Sequence, residues 1–482
     1  MHRLFISSAH KSSGKTTIST GLIAAFRKSG VVPQPFKKGP DYIDPMWLSL
    51  AANRDCHNLD FYTMGHEEIW SDFARLSIAS DLALIEGNKG LYDGLDLDGS
   101  NSNAALARLL QAPVILVLDA RGMTRGIAPL ILGYQSFDER VNIAGVILNK
   151  LGGARHEAKL RAIIEHYTDV PVVGALHRDA ALDIGERHLG LIPSQELDHA
   201  PRRIAAICEA VTAAIDMDAV QQIGASAPPL TLPAVATASQ QVQDVQIGVA
   251  RDVAFSFYYA SDLAALRAAG ARLQFFDTVN NAQLPDVDAL FIGGGFPETQ
   301  AAGLSANATL RAQIRGFIDN GGPVYAECGG LMYLSRSITW RGQRFEMVGA
   351  IPADVLMEER PVGRGYVRLK DTGRGPWPLR GDHERDVEIP AHEFHHSRLI
   401  NIDSAVDFAY DVLRGTGIDG QHDGLIYKKV LASYTHLRDT TRNRWARRFV
   451  DYVRQVRSKM QRPAKRIDYN QQISRRTDTR FG

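Results

Sequence analysis

Residues 8–17 of the chain read SAHKSSGKTT. They follow an apolar run at Leu4–Ser7 and precede Thr16–Lys28, whose apolar residues have the spacing of a helix. A strand, a loop of small residues, the triplet Gly-Lys-Thr and a helix together form the context of a phosphate-binding P-loop. Backbone N–H groups of such a loop point at phosphate oxygens, and the helix dipole favours negative charge there. The stretch therefore predicts a nucleotide-binding domain built on a parallel α/β sheet, with an ordinary Ser/Gly turn as the alternative.

Four residues of this loop are predicted to bind ATP: Gly14, Lys15, Thr16 and Thr17. Lys15 is expected to reach the β- and γ-phosphates, and the Thr16 hydroxyl is expected to ligate Mg²⁺. The loop departs from the strict P-loop pattern at Ala9, where that pattern has glycine.

Two acidic residues at strand ends are predicted to complete the magnesium site. Asp41 lies in the run Phe36–Pro45, after a short strand, and Glu86 ends the apolar strand that begins at Leu82. Open parallel sheets bind ligands at the carboxyl ends of their strands, so both acids are expected to lie near Thr16. Mg²⁺ takes oxygen ligands of this kind. The alternative for either acid taken singly is a solvated loop carboxylate.

The chain of 482 residues is too long for one ordinary core and predicts two α/β domains. We expect a first domain over residues 1–221, an uncharged Ala/Pro-rich linker over 222–243 and a second domain over 244–456. Residues 457–482 are basic and are expected to form a flexible tail, with an arm that binds RNA or protein as the alternative. Strands are predicted at Leu4–Ser7, Leu82–Ile85, Val114–Leu118, Ala144–Leu148, Val172–Leu176, Val245–Val249, Leu273–Phe276, Ala289–Ile292, Val324–Ala326 and Leu431–Tyr434.

The overall composition excludes several classes of partner. A net charge of +1 argues against a dedicated nucleic-acid or membrane surface, since both usually need a basic excess. The three cysteines, Cys56, Cys208 and Cys328, are too few and too scattered for a disulfide framework, so we expect a reducing, cytoplasmic setting. Neither a signal peptide nor an apolar run of transmembrane length is expected.

A second catalytic centre is predicted at Cys328, where residues 324–334 read VYAECGGLMYL. A strand, a cysteine, two glycines and the start of a helix form a sharp turn that exposes a nucleophile. The helix N-terminus is expected to lower the pKa of the thiol. His436, at the end of a later strand, is the predicted base. A buried structural cysteine is the alternative for Cys328.

Glycines beside this nucleophile are predicted to contribute to the same site. Gly294 and Gly295 follow the apolar strand 290–292, and Gly329 follows the cysteine directly. Because glycine lets backbone N–H groups approach closely, we expect these positions to face a developing oxyanion.

The block His392–His396 matches the H-E-x-x-H pattern of zinc proteases. That pattern binds zinc on a helix, where two histidines four residues apart share a face. Here Pro390 precedes the block and no helical period surrounds it, so we expect no zinc site.

Together these motifs resemble the cobyrinate a,c-diamide synthase family over nearly the whole chain except the linker and tail. The stretches that carry the resemblance are Ser13–Thr17, Phe36–Pro45, Asn58–Asp60, Glu86-Gly87 with Gly90–Gly94, Asn149-Lys150, Gly293–Gly295, Glu327–Gly330, His392–His395 and Ser433–His436. The resemblance implies a synthetase domain like dethiobiotin synthetase, followed by a class I-like glutaminase domain. It also implies that ATP phosphorylates a carboxylate side chain of a tetrapyrrole, and that ammonia released from glutamine at Cys328 attacks the acyl phosphate.

The same resemblance implies the roles of two further residues: Asp93 in the carboxylate substrate site and Asn149 near the nucleotide base. One departure is that class I glutaminases usually carry Glu two residues after the catalytic histidine, where this chain has Arg438. We therefore assign a Cys328–His436 dyad and no third member.

Three functions remain open from the sequence. The favoured hypothesis is amidation of the a- and c-acetates of cobyrinate or hydrogenobyrinate, with Mg²⁺, ATP and glutamine. The second keeps the chemistry and changes the ring to sirohydrochlorin, nickel-sirohydrochlorin or sirohaem. The third is a switch-type P-loop ATPase with an inactive glutaminase-like module, which the presence of Cys328 and His436 disfavours. Each of the three hypotheses is compatible with a homodimer.

Overall fold

The computed structural model describes residues 1–179, 199–230, 242–377, 387–404 and 406–461, together with isolated positions between 182 and 194. Its first half is built on a seven-stranded sheet in the order β3-β2-β4-β1-β5-β6-β7, in which neighbouring strands are parallel. These strands are β1 His2–Ser8, β2 Pro33–Lys38, β3 His57–Leu59, β4 Leu82–Glu86, β5 Val114–Asp119, β6 Ile143–Leu151 and β7 Val172–His177.

Helices cover both faces of this sheet. Side chains alternate along β1, so that Leu4 and Ile6 join one buried cluster and Phe5 joins the other. Burial on both faces explains why the strands read as continuous apolar runs. The helices are α1 Lys15–Lys28, α2 Ile43–Ala52, α3 His66–Ser77, α4 Asn103–Leu109, α5 Ile127–Phe137, α6 Ala154–Tyr167, α7 Ala200–Ala214 and α8 Met217–Ala225, with a small ribbon of β8 Glu186–Arg187 and β9 Gly190–Leu191.

The second half is built on a nine-stranded sheet in the order β12-β10-β13-β15-β24-β23-β22-β19-β20. The strands from β12 to β24 are parallel, and those from β24 to β20 are antiparallel. The strands of this half are β10 Val245–Ala250, β11 Phe255–Phe257, β12 Ala271–Phe276, β13 Ala289–Ile292, β14 Gly294–Gly295, β15 Val324–Glu327, β16 Ser337–Trp340, β17 Gln343–Glu346, β18 Asp354–Met357, β19 Gly363–Asp371, β20 Glu388–His395, β21 Ser397–Ile400, β22 Asp407–Arg414, β23 His422–Tyr427 and β24 Val430–Ser433.

Smaller sheets and helices complete this half. Strands β17-β16-β18-β21 form a four-stranded sheet, and β11 pairs with β14. The helices are α9 Ala260–Ala268, a 3₁₀ turn at Pro297–Gln300, α10 Ala301–Ala306, α11 Ala308–Asp319, α12 Gly329–Leu334 and α13 Trp445–Gln461. Every strand predicted from the sequence coincides with one of the observed strands, which confirms the two-sheet α/β fold class. The antiparallel half of the second sheet was not predicted.

The domain limits of 1–221 and 244–456 stay predictions. Helix α8 ends at Ala225, so the first residues assigned to the linker are helical, and residues 231–241 lie outside the described part of the chain. Helix α13 continues past residue 456 to Gln461, and its Arg454 and Arg457 bind Asp244 and Asp288, which precede β10 and β13. The rest of the predicted tail, 462–482, is also outside the described residues.

Helices that could span a membrane, by their length and hydropathy, are absent from the described residues.

Candidate active site

The P-loop connects β1 to α1 and turns at Gly14, whose φ of 93° is left-handed. A Cβ at that position would lie 2.1 Å from the amide nitrogen of Asn149, so both the turn and its neighbour require glycine. Asn149 lies in β6, after the apolar residues of that strand, and its side-chain amide donates a hydrogen bond to the carbonyl of Ser13 over 2.8 Å. The structure thus places Asn149 against the loop itself.

Lys15, the first residue of α1, is buried beneath the loop and donates from Nζ to Ser8 Oγ over 3.0 Å. Burial, and then the positive charge of Lys37, lower the pKa of Lys15 to about 8. A buried ammonium of this kind is stabilised by an anion, and the phosphates expected at a P-loop are anions.

Acidic side chains from two neighbouring strand ends meet beside Thr16. The Thr16 hydroxyl donates to Glu86 Oε1 over 2.9 Å. Lys37 Nζ lies 2.6 Å from the same oxygen, 2.5 Å from Asp44 Oδ2 and 3.9 Å from Asp41 Oδ2. Asp41 and Glu86 were predicted from the sequence as ligands, whereas Lys37 and Asp44 were given no role. Both residues lie in the run 36–45. Side chains alternate between the two faces of a strand, and this alternation along β2 could have placed Lys37 on the same face as Glu86 of the neighbouring strand β4.

Charges in this cluster perturb one another strongly. Burial, and then the neighbouring Asp44, raise the pKa of Asp41 to about 7. Burial acts to lower the pKa of Lys37, but the carboxylates of Asp44 and Glu86 outweigh it and hold that pKa above its ordinary value. Lys37 therefore stays protonated and supplies a second cation next to Lys15.

The oxygens around Thr16 fit a hard divalent cation. Glu86 Oε2 is buried and makes no hydrogen bond to the described residues, so one carboxylate oxygen is available beside the Thr16 hydroxyl. Among the described residues, His, Cys, Asp and Glu side chains form no group of three or more that could hold a metal. Hydroxyl and carboxylate oxygens such as those of Thr16 and Glu86 are ligands that Mg²⁺ prefers, and water and phosphate usually complete its coordination.

The second centre is a strained turn between β15 and α12. Cys328 has φ 47° and ψ −100°, its N–H donates to the Ser433 carbonyl over 2.7 Å, and its thiol lies 3.8 Å from the carbonyl oxygen of Phe394. A non-glycine residue in this conformation is typical of a nucleophile elbow.

The pKa of the thiol differs from the sequence-based expectation. Burial, and then the negative charge of Glu298, raise the pKa of Cys328 above its ordinary value. The expectation that the helix N-terminus lowers it was wrong, because desolvation of the buried thiol outweighs the backbone N–H of Gly329, which acts to lower the pKa. Cys328 therefore needs a base to form its thiolate.

His436 follows β24, the strand that pairs in parallel with β15, so the base and the nucleophile leave neighbouring strand ends. Its Nδ1 lies 3.4 Å from Glu327 Oε2. Gly294 packs against the same ring, since a Cβ there would lie 2.5 Å from His436 Cε1. Gly329 lies against Gly295, because a Cβ on Gly329 would be 3.1 Å from the Gly295 nitrogen. The structure thus brings together the predicted base and all three predicted oxyanion glycines.

The H-E-x-x-H block lies on strand β20, not on a helix. His392 is buried, and its ring stacks on His436 with centroids 5.0 Å apart. Burial, and then the neighbouring His436, hold the pKa of His392 well below its ordinary value. The block therefore packs against the predicted base, His436, through the ring of His392.

Three cavities lie in series across the molecule. A nucleotide-side cavity of about 320 Å³ is lined by the P-loop, and a cavity of about 600 Å³ is lined by Cys328 and Glu298. Between them is an interdomain cavity of about 950 Å³, lined by Asp93 and His436. Lys37, Asp41 and Asp44 line both the first and the interdomain cavity, whereas Phe394 lines both the interdomain cavity and that of Cys328.

Aromatic rings form the contact between the halves near His436. Tyr42, between Asp41 and α2, stacks on Phe257 with centroids 5.2 Å apart and packs on His436, also at 5.2 Å. Tyr62 stacks on Tyr366 at 4.1 Å. These contacts hold the two strand-end faces opposite each other.

Arg438 occupies the position where a glutaminase glutamate was expected, and it reaches into the other half. Its guanidinium donates to the Asn58 carbonyl and to Thr63 Oγ1, and it lies over the Tyr259 ring at 5.0 Å from the centroid. Position 438 therefore ties the two halves together instead of orienting the base.

We expect Arg438→Ala to lower the midpoint of thermal unfolding, because the buried Asn58 carbonyl loses its charged donor, a loss worth about 1–3 kcal/mol. Both syntheses use the interdomain cavity that the two halves line together, but synthesis from glutamine also needs ammonia to pass between the halves and should therefore fall more than synthesis from added ammonia. Differential scanning fluorimetry and the two synthesis assays measure this. Arg444→Ala, whose side chain is 56% exposed, is the matched control and should change neither. Equal losses with both nitrogen sources would contradict the docking role.

Fold and site together define a two-domain, glutamine-dependent amidotransferase with a P-loop domain. Residues 246–443 match the CobB/CobQ-like glutamine amidotransferase domain, and residues 2–184 match an AAA domain. The P-loop domain implies the use of ATP.

Curated relatives specify the class further. The protein named cobyrinate a,c-diamide synthase from Magnetococcus marinus is 45% identical, covering 92% of this chain and 95% of that protein. Proteins of the same name from Methanosarcina acetivorans and Archaeoglobus fulgidus are 41% and 40% identical, covering 90% and 93% of this chain and 92% and 96% of theirs. The chain belongs to the cobyrinate a,c-diamide synthase family and is a carbon–nitrogen ligase with glutamine as nitrogen donor.

Proposed function

We propose that this chain uses ATP to activate the a- and c-acetate carboxylates of cobyrinate as acyl phosphates and converts them to amides with ammonia from glutamine. The observation that carries the proposal is the interdomain cavity, which shares walls with both the P-loop cavity and the Cys328 cavity. A carboxylate held there lies between a phosphate donor and an ammonia source. The names of the curated relatives support cobyrinate as the substrate.

The lining of this cavity suits a macrocycle that carries several carboxylates. Basic residues from both halves contribute to it: Lys11, Lys37, Lys38, Lys89, Arg364 and Arg414. Six cationic side chains around one cavity complement the acetate and propionate groups of a tetrapyrrole. Asp93 lies in the same wall, with Oδ2 accepting from the Gly90 N–H over 2.9 Å.

In the activation step, a substrate carboxylate oxygen attacks the γ-phosphorus of ATP. The bond from that phosphorus to the bridging oxygen breaks, ADP leaves and an acyl phosphate forms. Lys15 and Lys37 stabilise the charge that develops on the transferring group. Thr16, Glu86 and Asp41 would hold Mg²⁺, which when bound supplies further positive charge at the phosphates.

In the ammonia-forming step, His436 accepts the thiol proton and Cys328 sulfur attacks the side-chain amide carbon of glutamine. Backbone N–H groups near Gly295 and Gly329 stabilise the oxyanion. His436 returns the proton to the leaving ammonia, and water then hydrolyses the thioester to glutamate. Ammonia attacks the acyl phosphate carbon, the bond to phosphate oxygen breaks, and loss of one proton leaves the amide.

The substrate assignment is tested by incubating the enzyme with ATP, glutamine and each of five rings: cobyrinate, hydrogenobyrinate, sirohydrochlorin, nickel-sirohydrochlorin and sirohaem. Mass spectrometry should show two successive exchanges of a carboxyl hydroxyl for an amino group on cobyrinate or hydrogenobyrinate. Amidation of a sirohydrochlorin derivative alone would show that this ring is the substrate instead of cobyrinate, while the proposed reaction would stand. ATP hydrolysis with no amide on any ring would overturn the proposal.

We further propose a cytoplasmic setting, supported by three buried cysteines that form no disulfide.

Ammonia should travel between the two centres inside the protein. Phe394 lines both the cavity of Cys328 and the interdomain cavity, so the two cavities adjoin at this side chain. Glutamate dehydrogenase with 2-oxoglutarate and NADH removes ammonia from solution. We expect this trap to leave synthesis from glutamine almost unchanged and to abolish synthesis from added ammonium. Equal inhibition of both reactions would show that ammonia passes through bulk solvent.

A further inference from the structure

We propose that Glu327 orients His436 during glutamine hydrolysis and thereby completes the dyad as a positioning residue. The inference rests on the proposed role of Cys328 and His436 in the function above. Glu327 directly precedes the nucleophile, and strand pairing sets it opposite Ser433, three residues before the base. The carboxylate therefore comes from the elbow strand, not from the position two residues after the histidine.

The contact between Glu327 and His436 is close and buried. Oε2 of Glu327 lies 3.4 Å from His436 Nδ1, and both residues are no more than 3% exposed. His436 Nδ1 itself makes no hydrogen bond to any described residue. Catalytic hydrogen bonds are often long before substrate binds and tighten in the complex, so this pair is poised to form one.

The carboxylate is fixed in place by its own partners. Oε1 of Glu327 accepts a hydrogen bond from the Tyr325 hydroxyl over 2.5 Å and another from the Leu437 N–H over 2.9 Å. Leu437 is the residue after the base, so the backbone that carries the imidazole is tied to the same carboxylate. Glu327 thus holds both the ring and its main chain.

Glu327 places its carboxylate against the ring of the base. His392 on β20 and Tyr42 from the first half pack on the same ring, and Arg438 lies two residues on; none of these three is an anion at neutral pH. Two other carboxylates near the base bind main-chain N–H groups instead: Asp423 accepts from Tyr434 and Thr435, and Asp262 accepts from Asp439. When His436 takes the proton of Cys328 at Nε2, a carboxylate at Nδ1 fixes the reactive tautomer and stabilises the imidazolium. The raised pKa of the buried thiol makes this support necessary.

Glu327→Gln tests the inference, because it keeps the shape of the side chain and removes its charge. We expect kcat for glutamine hydrolysis to fall about a hundredfold or more, with KM little changed, since loss of the orienting carboxylate leaves a mixture of tautomers. Synthesis from added ammonia should stay as in the wild type, which shows that the fold is intact.

Two further variants separate positioning from packing. Glu327→Asp keeps the charge and should recover part of kcat, whereas Glu346→Gln removes an exposed carboxylate on β17 and should behave as wild type. A wild-type kcat for glutamine hydrolysis in Glu327→Gln would overturn this inference and leave the proposed function standing. Absence of glutaminase activity in the wild type, or its persistence in Cys328→Ser, would instead overturn the proposed function beneath it.

Discussion

Lys15→Ala is expected to abolish amide synthesis with either nitrogen source, because both routes need the phosphoryl transfer in which we propose that Lys15 acts. Removing one preorganised charge-stabilising group costs about 10²- to 10³-fold in kcat, and a lysine beneath the P-loop is placed to have at least that effect. Synthesis from glutamine and from ammonium is measured by mass spectrometry, and glutamine hydrolysis is measured separately. Hydrolysis should persist, since Cys328 and His436 belong to the other half.

The loss should not reflect unfolding. The pKa of Lys15 is lowered to about 8, so at neutral pH the buried ammonium opposes folding and its removal relieves that cost. Below pH 8 the penalty is fully present, and it disappears as the pH rises past the unfolded value. Lys28→Ala, at the exposed end of the same helix, is the matched control and should be as active as wild type. Near-normal synthesis by Lys15→Ala would contradict the P-loop assignment.

Cys328→Ser is expected to eliminate synthesis from glutamine while high ammonium still supports it. A serine hydroxyl in the same turn is a far weaker nucleophile than the thiolate, so only the ammonia source is lost. Both syntheses and glutamate release are measured on one preparation. Cys208→Ser, which replaces a buried thiol on α7, is the control and should retain both activities. Failure of Cys328→Ser with ammonium as well would show that the two centres do not divide the reaction in this way.

Much of the fold and both centres were predictable because their signals are local. The P-loop and the elbow are each a strand, a turn and a helix within about a dozen residues, and such turns leave a readable residue pattern. Glu86 could be predicted because it is a carboxylate at the carboxyl end of an apolar strand, which is where parallel sheets bind their ligands.

What the sequence did not predict depends on pairing between distant segments. Glu327 meets His436 only because β15 and β24 are neighbours, although 109 positions separate the two residues in the chain. The antiparallel strands β19, β20, β22 and β23 were missed because their alternating polar residues resemble loop sequence without a known partner strand. The pKa of Cys328 was predicted with the wrong sign because burial, which dominates it, is a property of the assembled protein.

The ring of Tyr42 has an evolutionary consequence for how the two halves can change. It packs against the imidazole of His436 and stacks on Phe257, while its backbone adjoins Asp41. A substitution that suits the nucleotide-side half therefore disturbs the wall of the ammonia-producing half. The two halves are therefore not interchangeable modules, because a half taken from another ligase must preserve this aromatic contact. Substitutions on one side of the contact limit which substitutions the other side tolerates.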